Sequence, residues 1–181
     1  MRARLDRAGT QFGTRFGLEA VGVWAANERT NQLLIEQVGA AIWNAKPAGG
    51  VRPIAAIVTH MHNVRAKWIR LSAPYLGVPA LLNRARCGPE QAGAALAESA
   101  LRCGEMLAEA LSGEPDSRIQ FFRRDALAKP WPVANGGGLR MLSYMLAHEA
   151  HHRGQIGMLA HQLGHPLPGK VTAKLWNWYH L

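Results

Sequence analysis

An apolar stripe at helical spacing runs through a knot of histidines near the end of this chain, and the pairing narrows the folds open to it. Leu142, Met145, His152, Ile156, Leu159 and Leu163 follow steps built from threes and fours, the pattern of a helix with one face in a core. At about 100° per residue His152 lies near the middle of that stripe, His148 about 55° from its centre and His151 more than about 100° away. His148 and His152 therefore stand one turn apart and look inward, while His151 looks outward. Two imidazoles so spaced can reach one metal ion, and histidine is the commonest metal ligand among side chains. The segment reads His148-Glu149-Ala150-His151-His152, so it lacks the HExxH pattern of zinc proteases. The plainer alternative is a pair of core-edge histidines bonded to backbone or water.

Three further segments have the same helical period. The first runs roughly from Phe16 to Ala45, with Val21, Trp24, Leu34, Val38 and Ile42 in its stripe, and Pro47, Gly49 and Gly50 end it. The second opens near Pro53, a good first-turn residue, and continues to about Ser72 through Ile54, Ile57, Met61, Val64 and Trp68. The third spans Pro89 to Leu111, with Gly113 as its stop. The histidine-bearing segment is the fourth, from about Leu139 to Leu163, closed by Gly164-His165-Pro166. Between the third and fourth lies a long loop over 114–138, with a short extended piece at Ile119–Phe122; loops of this length often serve function or cover a site. Trp176, Trp178 and Tyr179 in the tail are expected to pack on the bundle.

These elements predict an all-α fold, a four-helix bundle of the up-down type, with one long loop between helices three and four. A chain of 181 residues can bury a sizeable core, and residues 1–181 read as a single domain without internal repeats. Apolar content of 48% against 18% charged residues excludes a disordered chain. No apolar run approaches the ~20 residues of a membrane span, and the first residues lack the apolar core and cleavage site of a secretory leader. The two cysteines, Cys87 and Cys103, form no CxxC pair and read as buried free thiols in a reducing cytoplasm. The net charge of +9 is scattered rather than gathered into a run, so no specific nucleic-acid partner is expected, and no membrane partner either.

Bundles of this kind build metal sites from side chains on facing helices, so a metal on helix four needs a ligand from elsewhere. Among the long helices only the second offers one, in Val58-Thr59-His60-Met61-His62-Asn63. Periodicity does not choose between His60 and His62, because each sits about 90–110° from the stripe centre, on opposite flanks.

A family likeness bears on that choice. His60 with Trp68 eight positions later, HEAHHRGQ at 148–155, and the ending Gln162-Leu163-Gly164-His165-Pro166-Leu167 resemble the DinB-like and YfiT-like superfamily of four-helix bundles. The opening Trp24-Ala25-Ala26-Asn27 followed by Leu33-Leu34 is a weaker match. The resemblance implies a divalent metal held by one histidine of helix two and an HxxxH pair of the last long helix: here His60, His148 and His152. Zinc or nickel stand foremost as the ion, with iron and manganese also open, because imidazole suits several metals. Three protein ligands leave a position for water or substrate, as in catalytic zinc sites.

The neighbouring residues have readings of their own. Glu149 and Arg153 are four apart in the order that favours a helix ion pair, though either could orient a histidine or a substrate. Gln155 lies near the His148 side of the helix and could point at the site. Gly154 reads as a point of close helix packing, Trp68 as core, and His62, His151 and His161 as surface groups or supports behind the ligands. His165 and His180 fall in loop or tail.

Two classes of function remain. One is a metal-dependent enzyme, with thiol-dependent S-transfer or hydrolysis as the candidate chemistry and a low-molecular-weight thiol as the small-molecule partner that the resemblance implies. The other is a non-catalytic metal-binding, stress-response protein of the damage-inducible kind. The resemblance, with aromatic residues near the chain's end, also implies a homodimer.

Overall fold

A computed structural model describes residues 2–46, 48–50, 52–83, 85–112, 118–121, 131–132 and 137–177. Four long helices, α1 (Arg2–Gln37), α3 (Ile54–Ser72), α4 (Pro89–Leu111) and α5 (Gly137–Gln162), form the bundle, and two short ones, α2 (Ala40–Trp43) and α6 (Gly169–Trp176), lie at its side. Helix α4 packs on both α1 and α3, and α5 packs on the same two helices, which closes the ring. A two-residue antiparallel ladder, β1 (Gln120–Phe121) with β2 (Trp131–Pro132), is the only strand pairing among the described residues. The expected extended piece at Ile119–Phe122 is therefore present in part; the rest of the long loop between α4 and α5 lies outside the described residues, as do Trp178, Tyr179 and His180.

The core is two apolar clusters with a polar layer between them. One cluster gathers Leu34, Val38, Ile42, Trp43, Ile54, Met61, Leu96 and Ile156. The other gathers Trp24, Trp68, Ile69, Cys103, Met106, Leu107, Leu142 and Met145. Every long helix places buried polar residues between the two: Asn27, Thr30 and Asn31 on α1, His62 and Arg65 on α3, Ser99 on α4, Glu149 and His152 on α5; Thr59 and Ser72 of α3 are buried within the segments that feed the two clusters.

The order of the clusters also fixes chain direction. Helices α1 and α5 run from the Trp24 cluster to the Leu34 cluster, whereas α3 and α4 both run the other way. The consecutive helices α3 and α4 are thus parallel, which corrects the up-down expectation. The reason lies in residues 73–88, where Pro74, Gly77 and Pro79 prevent a tight helical hairpin and the connection has the length to return along the bundle. It is tied to α3 on the way: Asn63 Nδ2 donates to Leu82 O at 3.0 Å and Asn63 Oδ1 accepts from Leu82 N at 2.9 Å.

Other boundaries moved for local reasons. The first helix begins at Arg2 rather than Phe16 and stops at Gln37 rather than Ala45. The extended backbone of Gly39, at φ −59° and ψ 147°, separates it from α2, which turns Ile42 and Trp43 inward, and Trp43 Nε1 donates to Cys87 O at 2.7 Å. Gly137 and Gly138 belong to α5 rather than to a loop; a Cβ on Gly138 would lie 2.7 Å from Leu111 Cδ2, so a glycine lets α4 and α5 approach there. The predicted stop at Gly164 holds: its φ is 79°, and His165 N reaches back to Ala160 O at 2.9 Å, a Schellman closure. Trp176 does not pack on the bundle as expected. It ends α6 at 79% exposure, and Val171 is the buried contact of that helix. No helix among the described residues is long and apolar enough to cross a membrane.

Candidate metal centre

The rotation of α5 predicted from its stripe is the one observed: His152 is buried, His148 half-buried and His151 exposed. Where α5 packs on α3, His60 meets this pair. Ring centroids lie 5.4 Å apart for His60 and His148, 4.9 Å for His60 and His152, and 4.5 Å for His148 and His152. One ring nitrogen from each falls within 4.8 Å of the others, and among the described residues no fourth histidine, cysteine or carboxylate joins the group.

The donor set fits a divalent cation. His148 Nε2 and His152 Nε2 are 3.2 Å apart, and imidazole nitrogens at about 2.0–2.1 Å from a tetrahedral ion would be about 3.3 Å from each other. Nitrogens facing at that distance share either a proton or a metal. Gln155 Oε1 sits 2.7 Å from His152 Nδ1. A carbonyl oxygen only accepts, so the ring proton is held on Nδ1 and the Nε2 lone pair faces the other two histidines. Burial lowers the His152 pKa below its ordinary value, the charges of His151 and Arg52 add to the fall, and Gln155 and Glu149 oppose it. The ring is therefore neutral near pH 7, the state a metal ligand needs. Trp68 packs edge-on against His148 at 5.4 Å, with Tyr144 beyond at 6.3 Å, so aromatic rings wall that side of the site.

His62 is the residue that periodicity left as an alternative, and it takes no part. It was expected among surface or supporting groups but is fully buried. Its Nδ1 lies 2.9 Å from Ala95 O and its Nε2 2.8 Å from Ala80 O, so it bridges α4 to the 73–88 connection. Two residues along a helix is a half-turn, which sends His60 and His62 to different neighbours.

Beside the histidines lies a buried charged network that links the four long helices. Arg65 on α3 grips Glu149 on α5 through Nε at 2.6 Å and Nη2 at 2.7 Å, reaches Leu96 O on α4 at 2.7 Å and meets Glu28 on α1 at 2.7 Å. Its guanidinium also sits 4.9 Å from the Trp24 ring centroid. The amides of Asn27 and Asn31 donate to Glu149, and their oxygens accept from Arg153 at 2.6 and 2.9 Å. Burial alone would push the Glu149 carboxyl up, but Arg65 and the two amides overrule it and hold the pKa below the usual range. Burial opposes the charge on Arg65 too, and Glu149 and Glu28 overcome that, so its pKa is raised.

Several expectations are corrected by this network. Glu149 and Arg153 do not form a direct ion pair among the described residues; both are held through the same two asparagines. Gly154 is not a point of close packing, because a Cβ there would meet nothing within 4 Å. Arg65 is one of the positive residues scattered through the sequence, and it is fully buried. Its sequence signal was position: it lies between Met61 and Trp68 on a face of otherwise core residues. The other expectations fare differently. Gln155 does point at the site, through His152 rather than on the His148 side. Trp68 is core, and Cys87 and Cys103 are buried free thiols, both raised in pKa by burial.

Two cavities flank the three histidines. One of about 560 Å³ runs past His60, Thr59, Asn63 and Leu81. The other, of about 910 Å³, runs past His152, Gln155, Ile57, Met158 and Leu159. The site is thus open to small molecules from both sides.

Comparison with known proteins adds one result. A family model described as the DinB family matches residues 12–177. No curated protein and no solved structure matches the chain.

Proposed function

The chain belongs to the DinB family, and from that membership and the convergence of His60, His148 and His152 we propose that the protein is a metal-dependent enzyme whose divalent ion these three residues hold. The observation that carries this reading is the three-imidazole group, which lacks a fourth protein ligand among the described residues and opens onto cavities. Three protein ligands with a free position are the pattern of catalytic zinc, whereas structural sites are closed. When bound, the ion would supply Lewis acidity at that position, enough to make a water or a small thiol nucleophilic near neutral pH.

The protein's own groups prepare the site. Gln155 holds the His152 proton away from the ligand face. Trp68 and Tyr144 keep water from the His148 side. Arg65 and Glu149 tie α3 to α5 and so set the spacing of the two helices that carry the ligands. Zinc or nickel is the ion we favour, and thiol-dependent S-transfer or hydrolysis the chemistry. The alternative, a non-catalytic metal-binding stress protein, makes the ion part of the fold. The polar layer argues against it, since Arg65, Glu149 and the two asparagines satisfy one another without an ion.

Cobalt substitution tests the proposal. Adding a small thiol such as 2-mercaptoethanol should change the visible spectrum as sulfur enters the coordination shell. No spectral response to a panel of thiols, together with unfolding on chelation, would establish the non-catalytic reading.

A further inference from the structure

The two cavities beside the histidines share one described lining residue, Arg52. It sits just ahead of α3, next to Pro53, and is exposed. Among the described residues it makes no hydrogen bond and no ion pair, although the molecule's other arginines near the site, Arg65 and Arg153, are fully engaged. Among the described residues no aspartate or glutamate lines either cavity, and apart from the histidines Arg52 is the one charged residue along their walls. An unpaired guanidinium where two cavities meet, with no carboxylate to compete for it, selects for an anion, and its planar fork matches a carboxylate.

The remaining walls say what else the ligand carries. Ile57, Met158 and Leu159 line the larger cavity, with Met158 61% exposed at its rim, and Leu81 stands 63% exposed beside the smaller one. Large apolar side chains left in water beside a cleft favour an apolar ligand body.

We propose that Arg52 is the substrate-anchoring residue of this site, and that the substrate class is a small carboxylate whose apolar body lies along Ile57, Met158 and Leu159. This rests on the metal-enzyme reading only in making the bound molecule a substrate; the binding itself is a property of Arg52 and the cavity.

The test is calorimetric titration of the zinc-loaded protein with hexanoate and with hexanamide, its uncharged counterpart, alongside elemental analysis of every sample. Wild type should bind hexanoate in preference to hexanamide. Arg52→Gln should weaken hexanoate binding about tenfold or more, the loss expected for one charge-assisted contact, and leave hexanamide binding unchanged. Arg52→Lys should recover part of the loss. All variants should hold the same zinc, because Arg52 is not a ligand. Equal affinity of wild type for the two compounds, or undiminished hexanoate binding by Arg52→Gln, overturns the inference. A protein that takes up no zinc yet binds hexanoate in an Arg52-dependent way would sink the metal reading and leave this one standing.

Discussion

At the scale of single residues, the centre depends on which atoms carry protons. His152 offers its Nε2 lone pair because Gln155 occupies the other nitrogen. Gln155→Leu should therefore lower metal affinity by about 10–100-fold, the usual effect of losing a group that orients a ligand, whereas His151→Ala should leave it unchanged. Elemental analysis after dialysis against a graded chelator measures both. The lowered pKa of His152 sets a pH dependence as well. Its folded value lies below the unfolded one, near 6.5, so its contribution to stability is complete above that pH. As pH falls the unfolded chain takes up the proton first, and the contribution is lost as pH passes through the folded value. Metal affinity should be flat down to about pH 6.5, His152's ordinary value, and decline only as pH falls through its lowered folded value. A titration that falls off already at pH 8 would show that another group governs it.

At the scale of elements, the contact between α3 and α5 matters most, because those helices bring His60 to His148 and His152. Arg65 and Glu149 are both fully buried in that contact. Removing one partner of such a pair strands a charge and costs about 3–5 kcal/mol, so Glu149→Leu and Arg65→Met should each destabilise the protein severely. The double variant Arg65→Met/Glu149→Leu should lose less than the two single losses combined. Urea denaturation of the four proteins gives the cycle; additive losses would mean the pair is not a unit. Gly154→Ala should go the other way. The position is exposed in mid-helix with open space for a Cβ, and alanine there gains about 0.5–1 kcal/mol by lowering the entropy of the unfolded chain.

At the scale of the whole molecule, the proposed reading predicts a fold that stands without its ion. Two apolar clusters hold the ends of the bundle and the charged layer joins its middle. Chelation should abolish metal-dependent activity yet leave the helical circular dichroism intact, with a modest fall in Tm. Loss of the helical signal on adding chelator at 25 °C would reverse that conclusion. The parallel course of α3 and α4 matters here too. It lets the 73–88 connection run beside α3, where Asn63 and His62 fasten it and Leu81 comes to line the cavity next to His60.

What this chain's sequence determined by itself was local and periodic. The 3.6-residue repeat located the four long helices, turned His148 and His152 inward, and placed Trp68 in the core, because one helix's own geometry decides which face is apolar. Pro53, Pro89 and Gly164 marked ends for the same local reason. What needed the tertiary structure was everything that depends on a second element. Periodicity, symmetric about the stripe, left His60 and His62 level and only the family resemblance favoured His60; the physical reason, which element lies on each flank of α3, is tertiary. The burial of Arg65 required Glu149 from 84 positions away, since only a distant carboxylate makes a buried guanidinium tolerable. Gln155 reached His152 through a rotamer that spacing does not fix. The direction of α4 rested on whether residues 73–88 turn back or travel along the bundle, and packing decided that, not propensity.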